Sequence, residues 1–150
     1  AGEPFGLMLC GLGCRDTLRM EAAMPLYGHE MDDSVSPLET ALGNYVKMEK
    51  TDFIGKEALL ASGAPRRARI GLRMVGRGIA REHFPVFCDG QAIGHTTSGT
   101  HCPTVGPVAM ALVEASHQTV GDTVQVEIRG ALVDAQIVPL PFYVRNKNAV

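Results

Sequence analysis

The sequence has 150 residues, which is long enough for one domain or for parts of two. Hydrophobic residues make up 45% of it and charged residues 20%, which is typical of a globular chain and excludes a disordered or collagen-like one. The formal charge of −2, with no tryptophan and 5% aromatic residues, gives no bias toward nucleic acid or an anionic membrane. The composition therefore predicts neither of these as a partner.

The first part of the chain contains an apolar run, residues 4–14, that superficially resembles a secretion signal. Glu3 precedes the run and the first basic residue, Arg15, follows it, which is the reverse of the charge order in such signals. No uncharged apolar stretch approaches the ~20 residues that a membrane-spanning helix needs. The cysteines are too few and too irregular for a disulfide scaffold, which favours reduced thiols and a cytoplasmic location. They are Cys10, Cys14, Cys88 and Cys102.

Residues 16–24 contain strong helix formers and predict the first helix. Asp16 or Thr17 is the expected N-cap, and Pro25 and Gly28 are expected to end or bend the helix.

Further along, Ser36 followed by Pro37 is typical of a helix start. A short strand is expected at residues 45–48, and residues 55–61 predict a short amphipathic helix. Up to about Ser62 the chain is therefore expected to be mostly helical.

From Arg66 onward the hydrophobic pattern changes to a two-residue alternation, which is typical of half-buried strands. Asp89–Gly90 is a hairpin-turn signal, and residues 129–130 mark another turn. The predicted strands are residues 69–75, 85–88, 91–94, 108–114, 123–128 and 132–138. Six short strands separated by turns predict a small antiparallel barrel, so the expected fold class is α+β.

Two patterns near the first helix are candidates for anion binding. Gly11 and Gly13 before a helix could cradle an anion on backbone amides, but the P-loop and dinucleotide-binding fingerprints are not met, which favours a plain turn. Arg15 and Arg19 are four residues apart and share a helix face. They could bind one carboxylate or phosphate together, or either could pair with a nearby acidic residue.

Two other groups of residues suggest chemistry only weakly. Cys88, His95, His101 and Cys102 have spacings that match no zinc-binding pattern, so no metal is expected there. Residues 98–100 lie between the two histidines, but a nucleophile elbow and an orienting acid are missing, which favours a polar turn over a catalytic serine.

Several sequence blocks closely resemble the aminomethyltransferase of the glycine cleavage system, the T-protein family. The first block, residues 10–22, begins Cys-Gly-Leu-Gly-Cys-Arg-Asp-Thr-Leu-Arg. The resemblance covers nearly the whole chain in order. The other blocks are residues 25–31, 37–43, 50–59, 78–81, 84–86, 93–94, 97–100, 103–104 and 140–143.

This resemblance implies that the chain corresponds to the C-terminal part, less than half, of that family's protein. Residues 1–64 would then be the end of the middle, helix-and-sheet folate-binding domain. Residues 65–150 would be the C-terminal domain, a small antiparallel barrel of the Greek-key or jelly-roll kind.

The resemblance also implies a function: transfer of a methylene group from an aminomethyl group on the lipoyl arm of the H-protein to tetrahydrofolate, with release of ammonia. The implied partners are the H-protein, other glycine cleavage components and tetrahydrofolate as co-substrate, without a metal. By resemblance, Arg15 and Arg145 line the folate cavity, and an arginine suits the carboxylates of folate's glutamate tail. The family's catalytic aspartate belongs to the absent part, so no catalytic residue is expected here, and the isolated chain is expected to be inactive.

Two other functions remain open. One is a non-catalytic docking or binding barrel module. The other is the folate-binding tail of a dimethylglycine or sarcosine dehydrogenase, although such tails usually read Trp-Gly where this chain has Tyr27 and Gly28. The sequence also differs from that of the T-protein family at Cys14, where the family usually has alanine, and around residues 101–108.

Overall fold

Six antiparallel strands close into a barrel in the computed structural model, which describes residues 1–145. The strands follow the chain order β1 to β6, and their order around the barrel is β1-β4-β3-β2-β5-β6, with β6 pairing back to β1. Because β2, β3 and β4 are successive neighbours and β1 lies beside β4, these four strands form a Greek key. The strands are β1 Arg67–Met74, β2 Pro85–Cys88, β3 Gln91–Cys102, β4 Gly106–Glu114, β5 Thr123–Ile128 and β6 Ala131–Val138.

The barrel interior is filled by apolar side chains that alternate along each strand, as the sequence pattern predicts. Leu72, Val86, Val126 and Ile137 are all at most 2% exposed. Full burial of such a side chain contributes about 1.5–3 kcal/mol to stability. The predicted α+β fold, a helical segment followed by an antiparallel barrel, is confirmed.

The segment before the barrel is less helical than expected. Helix α1 spans Leu12–Glu21 and helix α2 spans Lys56–Ala61, while single 3₁₀ turns occur at Glu3–Phe5 and Gly43–Tyr45 and another, Ala115–His117, lies within the barrel. Turns and irregular backbone make up most of the remainder of residues 1–66.

Several local predictions for this segment are wrong. Helix α1 begins four residues earlier than expected, with Gly11 as its N-cap. The strand expected at residues 45–48 is absent, because the closed barrel has no free edge for it to join. After Ser36 only a turn forms, although the backbone N–H of Ser36 donates to Glu39 Oε2 at 3.0 Å, as in a capping box.

Helix α1 packs on the outer surface of the barrel and makes β4 buried on both faces. Ala109, Ala111 and Val113 face the barrel interior. Met110, one residue out of phase with these three, lies on the opposite face of the strand and packs in a second cluster with Met20 of α1. Both methionines are completely buried, so this contact fixes α1 against the barrel.

Strand β3 is longer than predicted and includes residues 98–100, where the sequence favoured a polar turn. Ser98 pairs with Met110 and Gly99 pairs with Ala109 on β4. The polar side chain of Ser98 is tolerated in a buried position because its hydroxyl oxygen accepts a hydrogen bond from Arg19 at 3.1 Å. No helix in residues 1–145 is long and apolar enough to cross a membrane.

Candidate functional site

A groove of about 620 Å³ runs along the side of α1 that faces away from the barrel. Its lining combines apolar side chains, including Leu18 and Met24, with two arginines, Arg15 and Arg19. The apolar wall suits the body of an organic ligand, and a guanidinium suits a carboxylate. The groove is therefore the candidate binding site.

Arg19 is used to hold α1 in place. Its Nε donates to Asp16 Oδ1 at 2.8 Å, Nη1 donates to Glu30 Oε2 at 3.1 Å, and Nη2 donates to Ser98 Oγ at 3.1 Å. These contacts tie the helix to the following turn and to β3. Of the two uses that the sequence left open for Arg15 and Arg19, Arg19 takes the structural one.

Arg15 stands in contrast to Arg19. It lies in the first turn of α1 and is exposed, and no carboxylate oxygen within residues 1–145 comes within 4.0 Å of its guanidinium. Its position at the helix start also adds the favourable field that helix N-termini exert on anions. The guanidinium of Arg15 is thus available for an anionic ligand.

Glu30 anchors the inner end of the Arg19 contacts. Its side chain is fully buried, and Oε2 accepts both from Arg19 and from the backbone N–H of Leu26, at 2.9 Å. Its other oxygen, Oε1, has no hydrogen-bond partner among the described residues. A nearby arginine, Arg69, donates to the carbonyl oxygens of Ala23 at 2.7 Å and Thr40 at 2.9 Å, and burial lowers its pKa.

A second cavity, of about 410 Å³, lies on the barrel side of Arg19. His29 Nδ1 lies 2.9 Å from Glu82 Oε2 and 3.3 Å from the carbonyl oxygen of Thr97 in this region. Neither His29 nor Glu30 stands out in the sequence. The partners of His29 lie more than fifty residues away, and no spacing rule links Glu30 to Arg19, eleven residues before it.

The two arginines assigned by resemblance lie toward opposite ends of α1. Arg15 is in its first turn, while the C-terminal tail returns to its last turn, where the backbone N–H of Tyr143 donates to the carbonyl oxygen of Glu21 at 2.9 Å. Arg145 follows two residues later and is exposed. It is not part of the lining of the α1 groove.

The residues considered for zinc do not form one group. Cys102 is fully buried beneath α1, with Sγ 3.7 Å from the carbonyl oxygen of Thr17, and burial raises its pKa to about 11. Cys88 instead lies at the end of β2, beside Asp89. Within residues 1–145 no three histidine, cysteine or acidic side chains are arranged to hold a metal ion. That the protein uses no metal stays a prediction.

The barrel and the segment before it match two sequence profiles of one protein family. Residues 67–143 match the profile described as "Glycine cleavage T-protein C-terminal barrel domain", and residues 1–50 match that of the "GCVT N-terminal domain". The first match alone covers the entire barrel. The chain belongs to the glycine cleavage T-protein family.

Relatives within the family are aminomethyltransferases. The chain is 49% identical to that of Moorella thermoacetica over 151 residues, which is 99% of this chain and 41% of the relative. It is 50% identical to that of Streptomyces avermitilis over 155 residues, which is 98% of this chain and 42% of the relative. The chain therefore spans about two-fifths of the length of these relatives.

A solved structure from this family is similar to this chain. The crystal structure of glycine cleavage system aminomethyltransferase T from Bartonella henselae superposes with a TM-score of 0.83 at 36% identity. The match covers 89% of this chain and 39% of that one. The resemblance found in the sequence is therefore confirmed, and the chain corresponds to part of a T-protein.

Proposed function

We propose that these 150 residues act as the C-terminal portion of a glycine cleavage aminomethyltransferase. In this proposal residues 1–64 end the folate-binding domain and residues 65–150 form the barrel domain. The complete enzyme transfers a methylene group from the aminomethyl-lipoyl arm of the H-protein to tetrahydrofolate and releases ammonia. A cytoplasmic location, with other glycine cleavage components as partners, is part of the same proposal.

The proposal rests on the state of Arg15. Its guanidinium is exposed at one wall of the α1 groove and lacks an internal carboxylate partner in the described part of the chain, whereas neighbouring Arg19 has two. An arginine held on a fixed helix and left uncompensated matches a carboxylate ligand such as the glutamate tail of tetrahydrofolate. Arg145 does not line this groove, so in this proposal its guanidinium would meet a different part of the folate, from the C-terminal tail.

These residues bind and orient the folate, and they do not perform the chemistry. An arginine stays protonated at neutral pH, so neither Arg15 nor Arg145 can act as a general base for the amine. Positioning two reactants supplies about 7–11 kcal/mol of barrier reduction when the site is complete. A chain that carries one wall of the site is therefore expected to show little or no turnover.

The test uses a joined chain, in which these 150 residues replace the matching part of the Moorella thermoacetica aminomethyltransferase. Ammonia release that depends on tetrahydrofolate and on the loaded lipoyl carrier is measured for the joined chain and for the isolated 150 residues. We expect turnover by the joined chain only. Turnover by the isolated residues, or none by a folded joined chain, contradicts the proposal.

The binding role is tested by Arg15→Ala and Arg145→Ala in the joined chain. Loss of a charge-assisted hydrogen bond costs about 1–3 kcal/mol, which is roughly a 5- to 150-fold rise in KM for tetrahydrofolate. Arg73→Ala is the matched control, because Arg73 is an exposed arginine on β1, away from the groove. An unchanged KM in both test variants refutes the assigned role.

A further inference from the structure

A cavity of about 330 Å³ lies where the segment before the barrel meets strands β1 and β6. Its lining includes Ala23 and Ala41 from that segment and Arg69 from β1. The volume falls within the range of about 300–1,000 Å³ that small-molecule pockets occupy. The arginine of this cavity is Arg69, whereas Arg15 and Arg19 line the α1 groove, so the two sites are separate.

The guanidinium of Arg69 is bound by neutral groups. Its Nε donates to the carbonyl oxygen of Thr40 at 2.9 Å, and Nη1 donates to that of Ala23 at 2.7 Å and lies 3.3 Å from Met110 Sδ. No carboxylate oxygen within residues 1–145 comes within 4.0 Å of it. Burial lowers the pKa of Arg69, and the charge of Glu30 opposes this from a greater distance. The half-buried cation has therefore lost water without gaining a carboxylate in contact.

The remaining nitrogen of Arg69, Nη2, is the group that a ligand can reach. Its two N–H groups have no acceptor among the described residues. The atom is not sealed in the interior, because Glu30 Oε1 is the one fully buried side-chain oxygen or nitrogen in residues 1–145 that lacks a partner. Since Arg69 lines the cavity, an anion that enters there can accept hydrogen bonds from Nη2.

Two alanines beside Arg69 have left-handed backbone conformations. Ala23 has a φ angle of 52° and Ala41 one of 59°, and both line the cavity. Arg69 binds the carbonyl oxygen of Ala23 and that of Thr40, directly before Ala41. Such conformations are unfavourable for residues other than glycine, and they cluster where a fold holds a ligand site in a fixed shape. This edge of the cavity is therefore formed before any ligand binds.

Apolar side chains form much of the remaining wall. Ile70, Val120 and Leu140 all line the cavity. Gly71 lets the C-terminal tail pack directly on β1, because an added Cβ would lie 2.6 Å from Leu140 Cδ2. One free guanidinium nitrogen and apolar walls suit a monoanion with a small apolar body, whereas a phosphate dianion would need more donors.

We propose that this cavity, called the Arg69 cavity, binds a small organic carboxylate. The carboxylate accepts from Arg69 Nη2, and the apolar body lies against Ile70, Val120 and Leu140. Such a ligand contacts both the barrel and the segment before it, so its binding stabilises the packing of one on the other. Binding there does not depend on the proposed transfer reaction.

The first experiment uses benzoate and isovalerate as probes, with benzamide as the matched uncharged control for benzoate. Dissociation constants are measured by ligand-observed NMR on the 150-residue chain and on the joined chain. We expect at least one carboxylate to bind with a Kd of about 1 mM or tighter, and benzamide to bind at least about tenfold more weakly than benzoate. Arg69→Met should weaken carboxylate binding by about tenfold or more. Arg73→Met, at an exposed arginine of the same strand, should leave it unchanged.

A second variant blocks the cavity and keeps the contacts of Arg69 with Ala23 and Thr40. Val120 is 58% exposed and lines the cavity, so Val120→Trp places an indole ring in it. The variant should bind the carboxylate at least about tenfold more weakly and lose the rise in unfolding midpoint that the ligand gives the wild-type chain. Val75→Trp is the matched control, since Val75 is 70% exposed just after β1 and does not line the cavity.

Several outcomes overturn this proposal. They are the absence of binding by both carboxylates at about 10 mM, equal affinity for benzoate and benzamide, and an unchanged Kd in Arg69→Met or in Val120→Trp. Displacement of the bound carboxylate by tetrahydrofolate in the joined chain also overturns it, because the cavity would then belong to the folate site. Loss of ammonia release by the joined chain refutes the proposed function and leaves the Arg69 cavity as proposed.

Discussion

Arg19 and Glu30 form a buried ion pair in which Nη1 donates to Oε2 at 3.1 Å, with side chains 11% and 0% exposed. The pair joins α1 to the turn that follows it, and the same guanidinium also reaches Ser98 on the barrel. Removing one partner of such a pair costs more free energy than the intact pair contributes, because the other charge is then buried and unpaired.

Arg19→Ala is therefore expected to lower the free energy of unfolding by about 3–5 kcal/mol. Urea denaturation measures the change, and Arg73→Ala serves as a control at an exposed arginine. Adding Glu30→Gln to Arg19→Ala should recover part of the loss, since the buried carboxylate is then neutral. A loss no greater than that of the control would show that the pair does not hold α1.

The pair of Glu39 and Arg67 predicts a specific pH dependence. Arg67 Nε lies 2.9 Å from Glu39 Oε1, and this contact lowers the pKa of Glu39 below its ordinary value of 4.5. A lowered carboxylate pKa stabilises the folded chain above pH 4.5, and that contribution is lost as the pH falls through the lowered pKa.

Glu39→Gln should therefore lower stability at pH 7 and make it decline less steeply as the pH falls below 4.5. The loss at pH 7 is expected to be about 1 kcal/mol, because Arg67 is partly exposed and solvent screens the pair. Thermal unfolding followed between pH 3 and pH 7, with Glu127→Gln as a control on β5, checks this. Parallel curves for wild type and Glu39→Gln would contradict it.

Much of the barrel could be predicted from the sequence because its signals are local. The alternation in residues 123–128 matches β5 to the residue. Asp89 and Gly90 both adopt positive φ angles, of 50° and 79°, as the hairpin turn that they predict requires.

The candidate site was only partly predictable, because its organising contacts are non-local. Arg19 reaches Glu30 eleven residues later and Ser98 seventy-nine residues later, and no spacing rule connects them. The extension of β3 through residues 98–100 depends on pairing with β4, which overrides the polar, glycine-containing sequence there. Arg15 was assigned to the binding site through family resemblance, since the helical spacing alone left its role open.

The cysteines are expected to differ sharply in reactivity. Cys102 is fully buried, and burial raises its pKa to about 11, whereas Cys10 and Cys14 are exposed. Because the thiolate is the reactive form, alkylation of the isolated folded chain at pH 8 should modify Cys10 and Cys14 at least about 100-fold faster than Cys102. Peptide mass spectrometry separates the sites, and all three should react alike in denaturant. Rapid labelling of Cys102 in the folded chain would show that α1 does not stay packed over it.

The backbone of β3 at Gly99 lies against the backbone of Ala80, in the connection between β1 and β2. Gly99 on β3 has no room for a side chain, because an added Cβ would collide with the backbone carbonyl oxygen of Ala80. Backbone cannot move aside as a flexible side chain does, so Gly99→Ala must displace the β1–β2 connection or β3 itself. The expected loss of stability is about 3 kcal/mol or more, at the upper end of the cost of overpacking a core.

Gly13→Ala is the matched control, since Gly13 lies within α1 and has open space around its Cβ position. This substitution should raise stability by about 0.5–1 kcal/mol through helix propensity. Denaturant midpoints of the two variants should therefore move in opposite directions from wild type, and a shift of both in the same direction would contradict the close packing of β3 against Ala80.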